Sequence, residues 1–345
     1  MIKLQKKAIK VKDLIIGGGA QISVQTMTNT LTEDLDSTIQ QIARLEDCGA
    51  DIIRVSIPNH NSVKVLAEIV KLTKVPIVAD IHYDYRLAIA SIEAGAHKIR
   101  INPSNIKSPQ GIKTLARMAG DSNIPIRIGF NQGAFINKLS PDALISTMLD
   151  QIKIIEDSGC SSLVLAVKCS DIATTIASYR KLYELTNYPL HIGLTEAGAG
   201  ESAIIKSSMA IGTLLMEGIG DTIRVSLAGD PAREVYVGRR ILQCAGIDKS
   251  FVEVIACPTC ARTSLPVEKI AIELENKTKH IRKQIKIAVM GCSVNGIGEA
   301  GNADFGVCGG LNQSIIFKNG KRIKTINNQQ IIAELLNILK EYTDG

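Results

Sequence analysis

The sequence predicts an α/β chain in which a (β/α)8 barrel, the TIM fold, is followed by a small α+β domain. Three observations predict it: short apolar runs recur over the first 230 residues, longer amphipathic stretches separate them, and a remainder of different composition follows. Short runs rich in Val, Ile and Leu are typical of strands buried on both faces, and the stretches between them are long enough for crossover helices. The rival arrangement of the same units is an open doubly wound sheet.

The length of the chain fits this division. A (β/α)8 barrel typically takes about 250 residues, so a chain of 345 residues leaves room for a second, smaller domain. We place the boundary near residue 248, which gives a barrel over 1–247 and a second domain over 248–345. An apolar fraction of 45% and a charged fraction of 21% exclude disorder as the main state of the chain.

Charge and hydropathy narrow the class of protein. With 40 Lys and Arg against 34 Asp and Glu, the formal net charge is +6, which suits small anionic substrates and does not by itself indicate nucleic acid. The sequence has no apolar stretch of about 20 residues that could span a bilayer, and it has no secretory signal. We therefore expect a cytoplasmic protein without a membrane partner, whose eight cysteines are reduced.

The strand-like runs follow one another with regular punctuation. In chain order they are 22–27, 52–56, 77–81, 98–102, 126–130, 163–167, 190–194 and 222–227. A glycine turn precedes the second, fourth, sixth and eighth runs, as expected for helix C-caps, and a proline precedes the third, fifth and seventh, as expected where a strand begins. This alternation predicts a repeated βαβα unit, and eight parallel strands are the number that closes a barrel.

Shorter elements are expected at both ends of the chain. Before the first strand, Gly17-Gly18-Gly19 is interpreted as a tight turn in a hairpin, because the G-x-G-x-x-G spacing of a dinucleotide loop is absent. After the barrel, strands are predicted at 251–256 and 285–290 with a helix between them. A helix that starts near Gln329 is predicted to close the chain.

Several strand-like runs contain an arginine near the end at which a barrel enzyme has its active site. Four runs each hold one arginine among apolar residues, and these are Arg54, Arg100, Arg127 and Arg224. Unpaired guanidinium groups in a core are costly and would repel one another unless an anion joined them, and their planar fork suits phosphate oxygens. The set therefore predicts a site for a di- or polyphosphate. The alternative is that nearby carboxylates pair with the arginines, and the candidates are Asp80, Asp84, Asp221 and Glu196.

Other polar residues lie at the C-terminal ends of the predicted strands, where barrel enzymes place their active sites. His82, within Asp80-Ile-His82-Tyr-Asp84, is a candidate acid, phosphate donor or metal ligand. Glu196 is a candidate general acid or base, because a carboxylate that faces an arginine-lined pocket can have its pKa tuned by that environment. Lys168 is interpreted either as a further cation of the pocket or as a solvated lysine.

Three cysteines of the second domain have the spacing of metal ligands. Cys257-Pro-Thr-Cys260 follows one predicted strand, and Cys292 follows another 32 residues later. A structural zinc would need a fourth ligand, for which Cys308 and His280 are the candidates. Three cysteines without an obvious fourth favour a [4Fe–4S] cluster with one iron held differently, and Glu299 is a candidate oxygen ligand for that iron. Zinc and a catalytic dithiol remain open alternatives.

These motifs resemble those of the 4-hydroxy-3-methylbut-2-enyl diphosphate synthase family, iron–sulfur enzymes of the non-mevalonate isoprenoid pathway. The matching segments follow the family order: 24–30, 54–56, 78–86, 100–103, 125–129, 193–198, 218–226, 257–260 and 291–299. The resemblance implies a TIM barrel followed by a small α+β iron–sulfur domain. It also implies reductive ring opening and dehydration of 2-C-methyl-D-erythritol 2,4-cyclodiphosphate to 4-hydroxy-3-methylbut-2-enyl diphosphate.

The resemblance further implies a role for individual residues. A [4Fe–4S] cluster would be held by Cys257, Cys260, Cys292 and Glu299. The substrate contacts would be Arg54, Arg100, Asn102, Arg127, Asn131, Lys168, Arg224 and Ser226. The catalytic residues would be Glu196, Glu299 and His82. Ferredoxin or flavodoxin would donate two electrons, and the active site would be shared between the subunits of a homodimer.

The chain departs from the family pattern at a few positions. Ile297 stands where the family usually has proline, the loop after Asn131 is short, and Cys169 stands where alanine is common. A basic segment over 277–286 is the one feature that suggests a nucleic-acid partner. Docking of an acidic electron carrier explains these charges more simply than RNA binding does.

Overall fold

The computed structural model describes residues 6–131, 140–292, 298 and 300–343, with the side chain of Asn131 outside that description. The chain divides into two compact units, one that ends at Ile247 and one that begins at Asp248. No helix within the described ranges is long and apolar enough to cross a membrane.

The first unit alternates strands and helices. After the strands β1 (Ile9–Val11) and β2 (Leu14–Ile16), it contains β3 (Ser23–Met27), α1 (Leu35–Asp47), β4 (Ile52–Ser56), α2 (His60–Leu72), β5 (Ile77–Ile81), α3 (Tyr85–Glu93), β6 (Lys98–Ile101), a 3-10 turn (Pro103–Asn105), α4 (Pro109–Asp121), β7 (Ile126–Asn131), α5 (Pro141–Asp157), β8 (Leu163–Lys168), α6 (Ile172–Leu185), β9 (His191–Ile192), α7 (Gly200–Met216), β10 (Thr222–Ile223) and α8 (Pro231–Cys244).

Strands β3 to β10 form a parallel barrel. Their order is β8-β7-β6-β5-β4-β3-β10-β9, and a parallel bridge between Leu165 and Leu190 joins β8 to β9. This bridge closes the ring, so the predicted barrel is confirmed and the open doubly wound sheet is excluded. The helices pack against the strands through a continuous aliphatic core, in which aromatic side chains such as Phe130 and Tyr179 are few.

Local signals explain why these helices begin and end where they do. At the helix N-termini, the side chain of an Asp, Asn or Ser residue accepts a hydrogen bond from a backbone N–H of the first turn. These capping residues are Asp34, Asn59, Asp84, Ser108, Ser140, Asp171 and Asp230. The glycines predicted as C-caps adopt positive φ angles at Gly49, Gly95, Gly159 and Gly218. The glycine and proline punctuation therefore corresponds to the actual boundaries of the elements.

Two barrel strands are shorter than the sequence predicts. The runs 190–194 and 222–227 become β9 (His191–Ile192) and β10 (Thr222–Ile223). Arg224 N still donates to Ile192 O at 3.0 Å, but Leu227 N donates to the Glu234 side chain at 3.1 Å. The last part of the run thus leaves the ladder because a buried carboxylate takes its backbone donor.

The N-terminal hairpin differs from the prediction in its turn. Strands β1 and β2 pair antiparallel around Lys12 and Asp13, and the three glycines follow the hairpin instead of forming its turn. Gly17 is needed for a close approach, since a Cβ there would lie 2.3 Å from Lys7 O. The hairpin packs its apolar side chains against the start of the barrel strands, at Ile52, Val78 and Val164.

The second unit is a mixed sheet with helices. It contains β11 (Val252–Ala256), α9 (Val267–Thr278), β12 (Ile285–Met290), β13 (Phe305–Cys308), β14 (Gln313–Lys318), β15 (Lys321–Asn327), a 3-10 turn (Asn328–Gln330) and α10 (Ile331–Thr343). The strand order is β11-β12-β13-β14-β15, with parallel pairing up to β13 and antiparallel pairing after it. The parallel strands β11 and β12 end just before the cysteines, so the cysteine loops leave the same edge of the sheet.

Candidate active site

The barrel strands bring the predicted arginines together in the barrel interior. Arg127 lies near the start of β7 (Ile126–Asn131) and not at its C-terminal end. Arg100 is in register with Arg127 on one side and with Asp80 on the other. Arg54, Arg100 and Arg127 are 8%, 6% and 2% exposed, and the side chain of Arg224 is 17% exposed. Buried cations at neighbouring positions repel one another, so this layer needs negative charge.

Asp80 supplies part of that charge. Its carboxylate accepts a hydrogen bond from Arg100 Nη1 at 3.0 Å and lies 3.5 Å from Arg54 Nε and 3.7 Å from His82 Nε2. Burial acts to raise the pKa of Asp80, but Arg54 and Arg100 outweigh it and hold that pKa well below its usual value. The predicted alternative of carboxylate pairing therefore holds for part of the set, with Asp80 shared between two arginines.

Two of the other proposed carboxylate partners, Asp84 and Asp221, are engaged elsewhere. Asp84 caps α3 and pairs with Arg86, whose side chain is 71% exposed. Asp221 accepts a hydrogen bond from Leu190 N at 2.8 Å. Neither residue therefore accounts for the positive charge of the arginine layer.

Arg54 is poorly satisfied in this arrangement. Its Nε and Nη2 donate to Met27 Sδ at 3.2 and 3.0 Å, and a thioether is a weak acceptor. Burial lowers the pKa of Arg54 to about 9, Asp80 opposes this shift, and the positive charges of Arg224 and Arg100 add to it. An anion at this position would supply the acceptors that the guanidinium lacks.

Arg127 has still fewer partners. Its Nε and Nη1 are enclosed and make no hydrogen bond within the part of the chain that the structure describes. Burial and the neighbouring Arg54 and Arg100 lower the pKa of Arg127 well below its usual value. A buried guanidinium in this state is expected to gain a partner when the site is filled.

Arg224 is held by Glu234, a residue that the sequence analysis did not identify. Glu234 lies in the first turn of α8 and is 3% exposed. Its carboxylate accepts from Arg224 Nε and Nη2 at 3.2 Å each, from Thr26 Oγ1 at 2.8 Å and from Leu227 N at 3.1 Å. The sequence could have indicated Glu234 only as an acidic residue close after the eighth strand. The structure shows that its carboxylate contacts Arg224.

Lys168 adds a further buried cation, with an exposed fraction of 7%. Burial comes first among the causes that lower the pKa of Lys168 well below its usual value, followed by Arg224 and Arg127. The lysine occupies space that Gly193 leaves open, since a Cβ on that glycine would lie 2.9 Å from Lys168 Nζ. Lys168 is therefore a buried cation beside the arginine layer and not a solvated lysine.

Glu196 has an unusual backbone. It is exposed in the segment that follows β9 (His191–Ile192) and adopts a φ angle of +54°, in the left-handed region that non-glycine residues rarely occupy. Such a conformation costs about 1–3 kcal/mol and is concentrated at functional sites. The strain supports a functional role for this carboxylate.

The other residues predicted to contact the substrate or to act in catalysis differ in their exposure to solvent. His82 has a 41% exposed side chain beside Asp80, at the mouth of the barrel. Asn102 is buried and its Oδ1 accepts from Ser104 N at 3.2 Å, so it caps the 3-10 turn that follows β6. Ser226 is half-buried after β10. Asn131 ends β7 in register with Lys168, and its side chain lies outside the described residues.

The cysteine loops of the second unit lie next to each other. Gly291 N donates to Cys257 Sγ at 3.1 Å, and a Cβ on Gly291 would lie 2.8 Å from Thr263 Cγ2. A glycine is therefore required immediately before Cys292, where the loop after Cys260 passes. A backbone hydrogen bond from Arg262 is the main cause that lowers the pKa of the Cys260 thiol, which favours the thiolate that metals bind.

These loops carry thiol donors for a cluster. Cys257 and Cys292 are half-buried and Cys260 is exposed. Within the described ranges, no three His, Cys, Asp or Glu side chains are arranged as a metal-binding group. Glu299 and Ile297 lie outside the described residues. Neighbouring thiols together with an N–H donor to sulfur nevertheless fit the chemistry of an iron–sulfur centre.

The chain matches one family over both units. The GcpE TIM-barrel domain matches residues 6–239, and the GcpE protein C-terminal domain matches residues 253–341. A relative from Caldanaerobacter subterraneus subsp. tengcongensis is 48% identical over 99% of both chains. A relative from Clostridium acetobutylicum is 47% identical over 97% of this chain and 98% of its own length. Both are named 4-hydroxy-3-methylbut-2-en-1-yl diphosphate synthase (flavodoxin).

Among solved structures, the barrel is similar to the dihydropteroate synthase of Yersinia pestis. The TM-score is 0.53 at 16% sequence identity, and the match covers 69% of this chain and 97% of that chain. At this identity the likeness concerns the fold alone.

Proposed function

The chain belongs to the GcpE family, and from this premise we propose that it converts 2-C-methyl-D-erythritol 2,4-cyclodiphosphate to 4-hydroxy-3-methylbut-2-enyl diphosphate. The reaction opens the ring, removes one hydroxyl as water, and consumes two electrons and two protons. One observation carries the proposal: the barrel holds a layer of buried arginines that its own carboxylates do not neutralise. A cyclic diphosphate supplies the missing negative charge.

The arginine layer binds the diphosphate in this proposal. Arg54 exchanges its weak contact with Met27 for phosphate oxygens, and Arg100 and Arg127 use donors that are unpartnered in the layer. The guanidinium of Arg224 is oriented before substrate binds, because it donates two hydrogen bonds to Glu234. Charge-assisted hydrogen bonds of this kind position a substrate as well as hold it. Further contacts from Lys168, Asn102, Asn131 and Ser226 complete the proposed set.

Glu196 and His82 handle protons in the proposal. The hydroxyl that leaves as water needs a proton, and a positioned carboxylic acid is a usual donor. The strained backbone of Glu196 supports this assignment, since strain is retained where the surrounding structure requires it. His82 lies at the mouth of the barrel beside Asp80, where its imidazole would also face a phosphate.

Cys257, Cys260 and Cys292 hold a [4Fe–4S] cluster in the proposal, with Glu299 as the fourth ligand. When bound, the cluster supplies the electron transfer that the reaction requires. The support comes from the adjacent loops, the Gly291 N–H donor to Cys257 Sγ, and the lowered pKa of the Cys260 thiol. Hydrogen bonds to cluster sulfurs are among the features by which a protein sets the reduction potential.

The proposed partners follow from the same assignment. A flavodoxin or ferredoxin donates the electrons, and the names of the curated relatives support flavodoxin. The active site is shared between the subunits of a homodimer. Complementation tests this arrangement: a mixture of Arg54→Ala and Cys292→Ser chains regains activity if the two halves come from different chains, and stays inactive if each chain is self-sufficient.

The function is tested by anaerobic turnover. We expect the full chain, loaded with iron and sulfide and supplied with reduced flavodoxin, to convert the cyclodiphosphate to its linear product. The Cys292→Ser variant should be colourless and inactive, whereas Cys244→Ser, at an exposed cysteine outside the cluster loops, should behave as the unmodified protein. A colourless zinc protein, or turnover by Cys292→Ser with an artificial reductant, would contradict the proposal.

A further inference from the structure

A second polar group lies deeper in the barrel than the arginine layer. Side chains two residues apart on a strand share a face, so Lys98 points to the same side as Arg100, and Thr222 to the same side as Arg224. Gln25 lies on the same strand face as Met27, and Met27 contacts Arg54. His191 lies on the same strand face as Gly193, and Gly193 borders Lys168. In other (β/α)8 barrels such interior layers are filled mainly by branched aliphatic side chains.

These interior side chains have polar atoms without partners. All of the following atoms are enclosed and make no hydrogen bond with any described residue: Gln25 Oε1 and Nε2, Lys98 Nζ, Arg127 Nε and Nη1, His191 Nδ1 and Nε2, and Thr222 Oγ1. Lys98, His191 and Thr222 are each 0% exposed. Buried polar groups are almost always satisfied by protein, water or an ion, so this cluster calls for an occupant that the described residues do not supply.

The register of the strands makes the group contiguous. Thr222 is in register with His191 on the neighbouring strand β9. Lys98 is in register with Val78 on β5, and Val78 is in register with Arg54 on β4. Arg127 and Arg54 are the charges that act on Lys98, and Arg127 and Lys98 are among those that act on His191. The unpartnered atoms therefore converge on one interior region.

The charge of this region identifies the kind of occupant. The buried cations outnumber the carboxylates of Asp80 and Glu234, and they are Arg54, Lys98, Arg100, Arg127, Lys168 and, at the rim, Arg224. A cyclic diphosphate carries one ionisable oxygen on each phosphorus, so its two charges and the two carboxylates are together fewer than the six basic groups. Water can satisfy hydrogen bonds but cannot neutralise this charge, and a cation is excluded by repulsion.

The available donors suit an anion. Lys98 and Arg127 donate as cations, while Thr222 and the Gln25 amide donate as neutral groups. Burial and the surrounding cations lower the pKa of His191 well below its usual value, so its ring is neutral and provides one N–H donor. Burial likewise lowers the pKa of Lys98, and an adjacent anion would favour the ammonium form that burial opposes.

We propose that the interior of the barrel binds one small inorganic anion, of the size of chloride, through Lys98 and Arg127 with Gln25, His191 and Thr222 as neutral donors. Arg127, which is in register with Arg100, borders both this site and the proposed diphosphate site. The halide test below does not depend on the catalytic proposal. A monatomic anion fits best, because it takes the least volume in an enclosed region and has no required orientation.

Bromide in place of chloride tests the proposal in the full chain without substrate. We expect crystals grown in sodium bromide to show an anomalous peak within about 3.5 Å of Lys98 Nζ. We also expect the Tm to rise with halide at constant ionic strength, adjusted with gluconate, and this rise to be absent in Lys98→Met. Lys6→Met is the matched control, since Lys6 is also buried but donates to Tyr183 O and Thr186 O at 2.7 and 2.6 Å. It should lower the Tm and keep the halide dependence.

Three results would overturn the inference. Water density without anomalous signal beside Lys98 would show that hydration alone fills the region. An unchanged halide dependence in Lys98→Met would place the anion elsewhere. A mass increase on Lys98 that depends on bicarbonate would show a covalent carbamate instead of a free ion. If Lys98→Met fails to fold, the bromide peak in the unmodified protein still decides, and because no turnover is measured, the outcome is independent of the proposed activity.

Discussion

Asp80→Asn removes the carboxylate that two buried arginines share. Asp80 is 2% exposed, and the side chains of Arg100 and Arg54 that face it are 8% and 10% exposed. Breaking a buried ion pair by removing one partner costs about 3–5 kcal/mol, because the other charge stays buried. With nearly complete burial on both sides, we take about 4 kcal/mol as the expected loss in the free energy of unfolding.

Thermal unfolding measures this loss. For a domain of about 150–250 residues, each kcal/mol lowers the Tm by about 2–4 °C, so the variant should unfold about 10 °C below the unmodified protein at pH 7. Asp84→Asn is the control, since Asp84 pairs with exposed Arg86 and asparagine caps a helix as well as aspartate does. A loss in Asp80→Asn no larger than that in Asp84→Asn would refute the role given to Asp80.

The same residue predicts a dependence on pH. The pKa of Asp80 is lowered in the folded protein, so its contribution to stability is complete above the unfolded value of about 3.9 and is lost as the pH falls below it. The difference in Tm between the unmodified protein and Asp80→Asn should therefore shrink below about pH 4. A difference that stays constant across this range would assign the loss to packing instead of charge.

Three further substitutions test separate parts of the structure. Glu234→Gln should raise the KM for the cyclodiphosphate about tenfold or more and change kcat much less, since it loosens a positioned arginine; an equal fall in kcat would assign Glu234 a different role. Cys257→Ser should abolish the visible absorbance of the reconstituted protein, whereas Cys244→Ser should retain it. Tyr179→Phe should cost about 1–2 kcal/mol in urea unfolding, because its buried hydroxyl bridges the backbones of two barrel strands at 2.7 and 3.2 Å; an unchanged midpoint would contradict this.

The sequence predicted the barrel because its signals are local. Apolar runs, glycine C-caps and prolines before strands are set by neighbours along the chain, and the closed parallel barrel confirms the fold class. The predicted strand ends at 194 and 227 were wrong. At 227 the reason is that Leu227 N donates to the Glu234 side chain, a contact that no local pattern reveals.

The candidate site could be predicted only in part. The arginines stand out within apolar runs, so their grouping follows from the fold class. Glu234 and the interior group around Lys98 and His191 were missed, because their importance depends on which side chains meet across strands. The spacing in the sequence predicts which residues lie on the same face of a strand. Only the closed barrel shows that the polar atoms of Lys98 and His191 lack hydrogen-bond partners among the described residues.

A crystal structure of the protein with 2-C-methyl-D-erythritol 2,4-cyclodiphosphate tests the central claim most directly. We predict phosphate oxygens within about 3 Å of the guanidinium groups of Arg54, Arg100 and Arg224. The Arg54 side chain should move away from Met27, because phosphate oxygens are better acceptors than a thioether. A diphosphate bound elsewhere, for example against the basic segment 277–286, with the arginine layer unchanged, would contradict the account.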